Sequence, residues 1–160
     1  MSEILAALLY RPPRQSYSLE ELGSPQFRLG NTDYCRIDFE VKNRRDIAVQ
    51  CSHYIPYHRA TRTIDDAARP CIVYLHGNSG CRLEADDIVD QCLEEGCTVL
   101  SLDFSGSGLS GGEHVTLGLR ESEDLEAVLD HLREQAFVSS VALYGRSMGA
   151  AVAILVRPRP

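Results

Sequence analysis

Close to its C-terminal end the chain reads Val141-Ala142-Leu143-Tyr144, then Gly145-Arg146-Ser147-Met148-Gly149, then Ala150-Ala151-Val152-Ala153-Ile154-Leu155. An apolar, strand-forming run passes through G-x-S-x-G straight into an apolar, helix-forming run. Strand, sharp turn and helix is the context in which this pattern becomes a nucleophile elbow. Such a turn forces the serine backbone into a strained conformation and lifts the hydroxyl above the sheet. Gly145 and Gly149 flank the serine at two residues on either side, which lets strand and helix approach closely. A loop serine between common turn residues would carry no such meaning.

The preceding chain follows the same rhythm. Cys71-Ile72-Val73-Tyr74-Leu75 is a continuous apolar run, as expected of a strand buried on both faces. From Leu83 to Leu93 the pattern turns helical, with Ala85, Ile88, Val89, Cys92 and Leu93 on one stripe and Asp86, Asp87, Asp90 and Glu94 opposite. Gly96 is its expected cap. Thr98 to Leu102 reads as a second strand, and residues 119–135 as a second helix whose apolar face holds Leu125, Val128, Leu129 and Leu132. Strands alternating with helices imply right-handed crossovers and a parallel sheet covered on both sides, so the fold class is α/β. Ahead of them a hairpin is expected: Tyr34 to Val41, a turn at Asn43-Arg44-Arg45-Asp46, and a return from Ile47 to Ile55. Residues 56–70 read as a loop. Residues 1–30 read as an irregular extension, extended at Arg11-Pro12-Pro13-Arg14 and punctuated by Gly23, Pro25 and Gly30. Residues 31–160 then form the N-terminal part of a single α/β domain.

Composition narrows the function. The 160 residues allow one domain at most, and 44% hydrophobic with 24% charged residues is ordinary for a soluble globular chain. A net charge of −7 without a basic cluster argues against a nucleic-acid surface. The run Ile4 to Tyr10 is short and lacks a basic lead-in, so neither a signal peptide nor a membrane span is expected. Ser2 excludes N-myristoylation. The six cysteines (Cys35, Cys51, Cys71, Cys81, Cys92, Cys97) contain no Cys-x-x-Cys, so no metal and no other cofactor is expected. Free thiols in a reducing cytoplasm is the expectation, with Cys71 and Cys97 packed in strands as small hydrophobes.

The chemistry demands the geometry. A serine hydroxyl is a poor nucleophile until a base takes its proton. It also needs an exposed position where amide donors can receive a developing oxyanion. The first N–H groups of a helix lack partners, and its dipole favours negative charge. His76-Gly77-Asn78-Ser79-Gly80 follows the first buried strand, where a second donor is expected. The backbone amides of Asn78 and Met148 are therefore the candidate oxyanion donors. His76 itself reads as a strand-end structural hydrogen-bonder rather than a base. Gly106-Ser107-Gly108-Leu109-Ser110-Gly111 is a literal G-x-G-x-x-G, which raises a dinucleotide-binding alternative. Such a loop must open a helix at once to meet pyrophosphate. Here Gly112 to Val115 intervene, so the glycines read as a tight turn that Asp103 hydrogen-bonds.

Taken together, Leu75-His76-Gly77-Asn78-Ser79-Gly80, Asp103 to Ser110 and Gly145 to Ala150 resemble the α/β-hydrolase superfamily. Within it the chain resembles intracellular serine hydrolases of the serine aminopeptidase S33 type. Arg11-Pro12-Pro13-Arg14 with Tyr17-Ser18, and Cys51-Ser52-His53-Tyr54, resemble the leading segments of plant and protist members. The resemblance runs from about Tyr10 to Leu155. It implies Ser147 as nucleophile, the Asn78 and Met148 amides as oxyanion hole, and cleavage of an ester, thioester or amide of a small acyl substrate through an acyl-enzyme. In this fold the acid and base follow the serine, yet no Asp, Glu or His lies after Ser147. The five histidines, His53, His58, His76, His114 and His131, all precede it. The prolines of Val156-Arg157-Pro158-Arg159-Pro160 would also break the helix. The expectation is an incomplete, truncated α/β-hydrolase fold, inactive or nearly so alone. A non-catalytic binding or regulatory fragment is the alternative.

Overall fold

A computed structural model describes residues 14–156. The run Ile4–Tyr10, the Arg11–Pro13 part of the extended path and the tail from Arg157 to Pro160 lie outside the described residues. The strands are β1 (Gln26–Leu29), β2 (Thr32–Lys42), β3 (Ala48–His58), β4 (Thr63–Ile64), β5 (Arg69–Leu75), β6 (Thr98–Leu102) and β7 (Val138–Gly145). The helices are α1 (Asp86–Glu94), α2 (Leu119–Arg133) and α3 (Met148–Leu155). Short 3-10 turns cover Leu19–Leu22 and Arg82–Ala85.

The sheet order is β1-β2-β3-β6-β5-β7, with β4 paired on β3. β1, β2, β3 and β6 pair antiparallel, whereas β6, β5 and β7 pair parallel. The α/β class and the hairpin-then-parallel layout follow from the alternating elements read above. The continuous apolar runs of β5 and β6 are buried between two helical layers. Val49, Cys51, Cys71, Val73, Leu75, Leu100 and Leu102 face α2 and α3 through Leu125, Val128, Leu132 and Val152. Residues of opposite parity, Tyr34, Tyr54, Tyr74 and Val99, face Val89 and Leu93 of α1.

Several boundaries moved. The segment 1–30, expected to be irregular, holds the Leu19–Leu22 turn and β1. Leu29 pairs with Thr32 across Gly30-Asn31, and Gly30 has φ +54°. Glycine at the first central position of this two-residue turn supplies the positive φ that lets β1 fold back on β2. The 56–70 loop contains β4, and β3 runs on to His58. The helix expected from Leu83 begins with a 3-10 turn and becomes α-helical at Asp86. Its end is as expected. Gly96 has φ +79° and donates to Leu93, and Cys97 N–H reaches back to the Cys92 carbonyl at 3.0 Å, a Schellman pair. All six cysteines are free. Cys71 is buried in β5, while Cys97 lies just ahead of β6 and is half-buried.

Candidate active site

β7 ends at Gly145 and α3 begins at Met148. Between them Ser147 is exposed, with φ 52° and ψ −112°. A positive φ on a residue with a Cβ costs about 1–3 kcal/mol and persists only when its surroundings over-determine it. Here they do. Arg146 N–H donates to the Leu75 carbonyl at 3.0 Å, Gly149 N–H to the Arg146 carbonyl at 2.9 Å and Ala150 N–H to the Ser147 carbonyl at 3.0 Å. The two glycines permit the crossing. A Cβ on residue 149 would lie 2.0 Å from the Leu75 carbonyl oxygen, and one on residue 145 would lie 2.5 Å from the Ala150 nitrogen.

The loop after β5 stands beside this turn. A Cβ on Gly77 would lie 3.9 Å from both the Arg146 carbonyl oxygen and the Ser147 Cβ. The serine and the Gly77–Gly80 loop therefore share one mouth, at the C-terminal ends of β5 and β7. Among the described residues, the Asn78 and Met148 amides donate to no acceptor. Met148 is the first residue of α3, where an N–H has no intrahelical partner and the dipole is positive. The Asn78 side chain is fixed from outside, its Oδ1 accepting from Arg14 Nη1 at 2.7 Å. Gly77 N–H reaches the Glu84 carboxylate at 3.4 Å.

His76 is fully buried and both its nitrogens are engaged. Phe104 N–H donates to its Nε2 at 3.0 Å. An amide can only donate, so Nε2 is unprotonated and Nδ1–H donates to the Gly77 carbonyl at 2.7 Å. Burial holds its pKa below the ordinary range. With no free lone pair, His76 supports the loop and has none to offer Ser147. His53 is buried against Thr98 at 3.0 Å, with its pKa pushed down by burial to about 4. His58 and His114 are exposed and His131 is half-buried. Among the described residues, no hydrogen bond joins any of the five to Ser147.

The glycine loop after β6 is not shaped for pyrophosphate. Gly106 N–H closes onto the Gly111 carbonyl at 2.9 Å, and α2 does not begin until Leu119. The space a Cβ on Gly108 would need is filled by the Asp103 carboxylate at 2.3 Å, an anion where a phosphate would have to lie. Asp103 does bond the turn, accepting from Leu109 N–H at 2.9 Å. It also accepts from Arg82 N–H at 2.7 Å and from the Tyr17 hydroxyl at 2.6 Å. These partners, and Arg14 on Asn78, were invisible in the sequence because they sit far apart along the chain. A charged residue such as Arg82 amid apolar neighbours was the only local hint. An open groove lined by Thr32, Asp33, Tyr57, His58 and Arg59 lies at the opposite end of the sheet and holds none of the candidate residues.

Comparison with known proteins now bears on this arrangement. Residues 66–160 match the family described as serine aminopeptidase, S33. The chain is 33% identical over 122 residues to the alpha/beta hydrolase domain-containing protein WAV2 of Arabidopsis thaliana, a match covering 72% of this chain and 38% of that protein. The Pyrococcus furiosus esterase Pf2001 superposes with a TM-score of 0.66 at 26% identity, over 90% of this chain and 52% of that one. XC6422 of Xanthomonas campestris, described as an α/β serine hydrolase without a lid, superposes with a TM-score of 0.59 at 20% identity, over 83% of this chain and 58% of that one, a likeness of fold. The chain thus spans 38% of the curated relative and about half of the esterase.

Proposed function

This chain belongs to the serine aminopeptidase S33 family of α/β hydrolases, and from that premise we propose that Ser147 is the nucleophile of an acyl-bond hydrolase. The observation that carries the reading is the exposed Ser147 at φ 52°, wedged between β7 and α3 beside two amides that have no acceptor among the described residues. In the proposed reaction Ser147 Oγ attacks the substrate carbonyl carbon and loses its proton to a base. The Asn78 and Met148 amides hold the negative oxygen. Collapse expels the alcohol, thiol or amine, which takes the proton back from that base. Water, deprotonated by the same base, then attacks the acyl-serine, releasing the acid as the proton returns to Ser147 Oγ. Esters are the class that the Pf2001 likeness supports.

The base is the missing part. Residues 148–160 hold no Asp, Glu or His, and His76 has no free lone pair. Residues 1–160 alone are therefore expected to show only oxyanion-type catalysis, which in the serine-protease case leaves roughly 10³–10⁴-fold over water. An added base should reveal the rest. Fluorophosphonate labelling of the purified chain is expected to be slow, to rise with added imidazole, and to map to Ser147. In that step the Oγ–P bond forms, fluoride leaves and imidazole takes the proton. Labelling unaffected by Ser147→Ala would end this reading.

A further inference from the structure

We propose that Arg14–Tyr17 is a clamp that orients the Asn78 loop, with Arg14 as a positioning residue for the Asn78 amide. The inference rests on the reading of Asn78 as an oxyanion donor and extends it to a segment far from the serine in sequence.

Three bonds make the clamp. Arg14 Nη1 donates to the Asn78 side-chain oxygen at 2.7 Å. One residue on, Gln15 N–H donates to the Ser79 carbonyl at 3.2 Å. Two further on, the Tyr17 hydroxyl donates to buried Asp103 at 2.6 Å. The Tyr17 oxygen in turn accepts from Arg82 Nε, and the Arg82 guanidinium lies 5.7 Å from the Tyr17 ring centre. Arg82 and Asp103 are fully buried, so this end of the segment is an anchor. Arg14, the first of the described residues, is the end that touches the loop.

A second contact holds the loop: the Glu84 carboxylate accepts from Gly77 N–H at 3.4 Å and fills the space beside Gly80, where a Cβ would lie 2.0 Å from it. A short glycine-rich loop has little internal stiffness of its own. With its side-chain oxygen held by Arg14, Asn78 cannot turn that oxygen onto the backbone N–H two residues on, as asparagine does in Asx turns, and Gly80 N–H donates instead to the Gly77 carbonyl at 3.1 Å. The Asn78 N–H itself donates to no acceptor among the described residues. A donor placed in advance requires no reorganisation when charge develops, which is the source of its catalytic value.

The test reads the amide directly and does not need turnover, so it stands whether or not Ser147 proves reactive. Amide ¹H–¹⁵N shifts and hydrogen exchange are measured for the 160-residue chain, for Arg14→Ala and Arg14→Lys, and for each on an Asn78→Ala background. Expected are shifted resonances at 77–80 and, at the hydrogen-bonded amides of Gly77 and Gly80, exchange faster by about tenfold in Arg14→Ala. Residues 125–132 of α2 should stay unchanged, Arg14→Lys should restore most of the protection, and Arg14→Ala should add nothing once Asn78 is alanine. Unchanged 77–80 amides in Arg14→Ala overturn the clamp. Exchange that rises equally in α2 also overturns it, since Arg14 would then be a general stabiliser.

Discussion

A methyl group at position 149 would need to sit where the Leu75 carbonyl oxygen already lies, 2.0 Å away. That obstacle is backbone, which no rotamer change relieves. Gly149→Ala is therefore expected to lose about 3 kcal/mol or more, the upper part of the range for overpacked sites, in urea denaturation. A loss below about 0.5 kcal/mol, the size of a neutral surface change, would mean that α3 does not cross β5 this closely. The buried histidines make a second residue-scale prediction. The pKa of His53 is pushed by burial from 6.5 to about 4, and that of His76 is also lowered by burial. A depressed histidine is neutral in both states above about pH 6.5, so its contribution is complete there. As the pH falls toward 4 the unfolded chain takes up the proton first, and stability is lost. Each such proton amounts to about 1.4 kcal/mol per pH unit. His53→Gln should flatten the fall in denaturation midpoint across this window by about one proton. A variant as steep as the parent would show that His53 charges freely in the folded protein.

Asp103 follows β6 and bonds three separate segments: the Arg82 turn, the Gly106–Gly112 loop and the irregular segment that holds Tyr17. Asp103→Asn keeps the shape but removes the charge opposite buried Arg82, 3.6 Å away. Leaving a buried charge unpaired costs about 3–5 kcal/mol when a partner is deleted, and the isosteric change should cost somewhat less. Thermal denaturation should report it, with hydrogen exchange fastest at 105–112. An unchanged melting temperature would show that the loops are held by something else. Elements of this kind divide into those that a local pattern reveals and those it does not. β5, β6 and β7 were legible because their apolar runs are continuous, and the serine turn because glycines at fixed offsets impose it. β1 was not, because Gln26-Phe27-Arg28-Leu29 is a short edge strand, alternately exposed and half-buried, whose identity depends on pairing with β2. The Arg14–Asn78 and Tyr17–Asp103 bonds span 64 and 86 residues. No periodicity or spacing encodes a contact that only the finished fold brings together. His76 was legible as structural from its place at a strand end, but its tautomer required the Phe104 amide.

Among the described residues the sheet has an edge strand on each flank: β1 is paired only by β2, and β7 only by β5. β7 carries no charged residue and no proline from Val138 to Gly145, so it lacks the usual guards of an edge strand. Val141 and Tyr144 are exposed along it. Nearby, Ile154 and Leu155 of α3 are 83% and 56% exposed, and Leu117 and Leu119 flank Gly118, which a Cβ would bring within 2.9 Å of Leu155. Unpaired backbone donors and acceptors beside exposed apolar side chains form a template for a further strand. The 160-residue chain is therefore expected to self-associate in sedimentation velocity at concentrations on the order of 100 µM, where transiently exposed edges meet. Val141→Lys places a charge on the edge, and burying it against a second strand would require desolvating an unpaired ammonium. The variant should sediment as a monomer at the same concentration, with Ile154→Glu giving a smaller effect because it guards only the helix face. A parent chain already monomeric at that concentration would mean that this flank is covered in solution. Association that persists in both variants would put the contact on another surface.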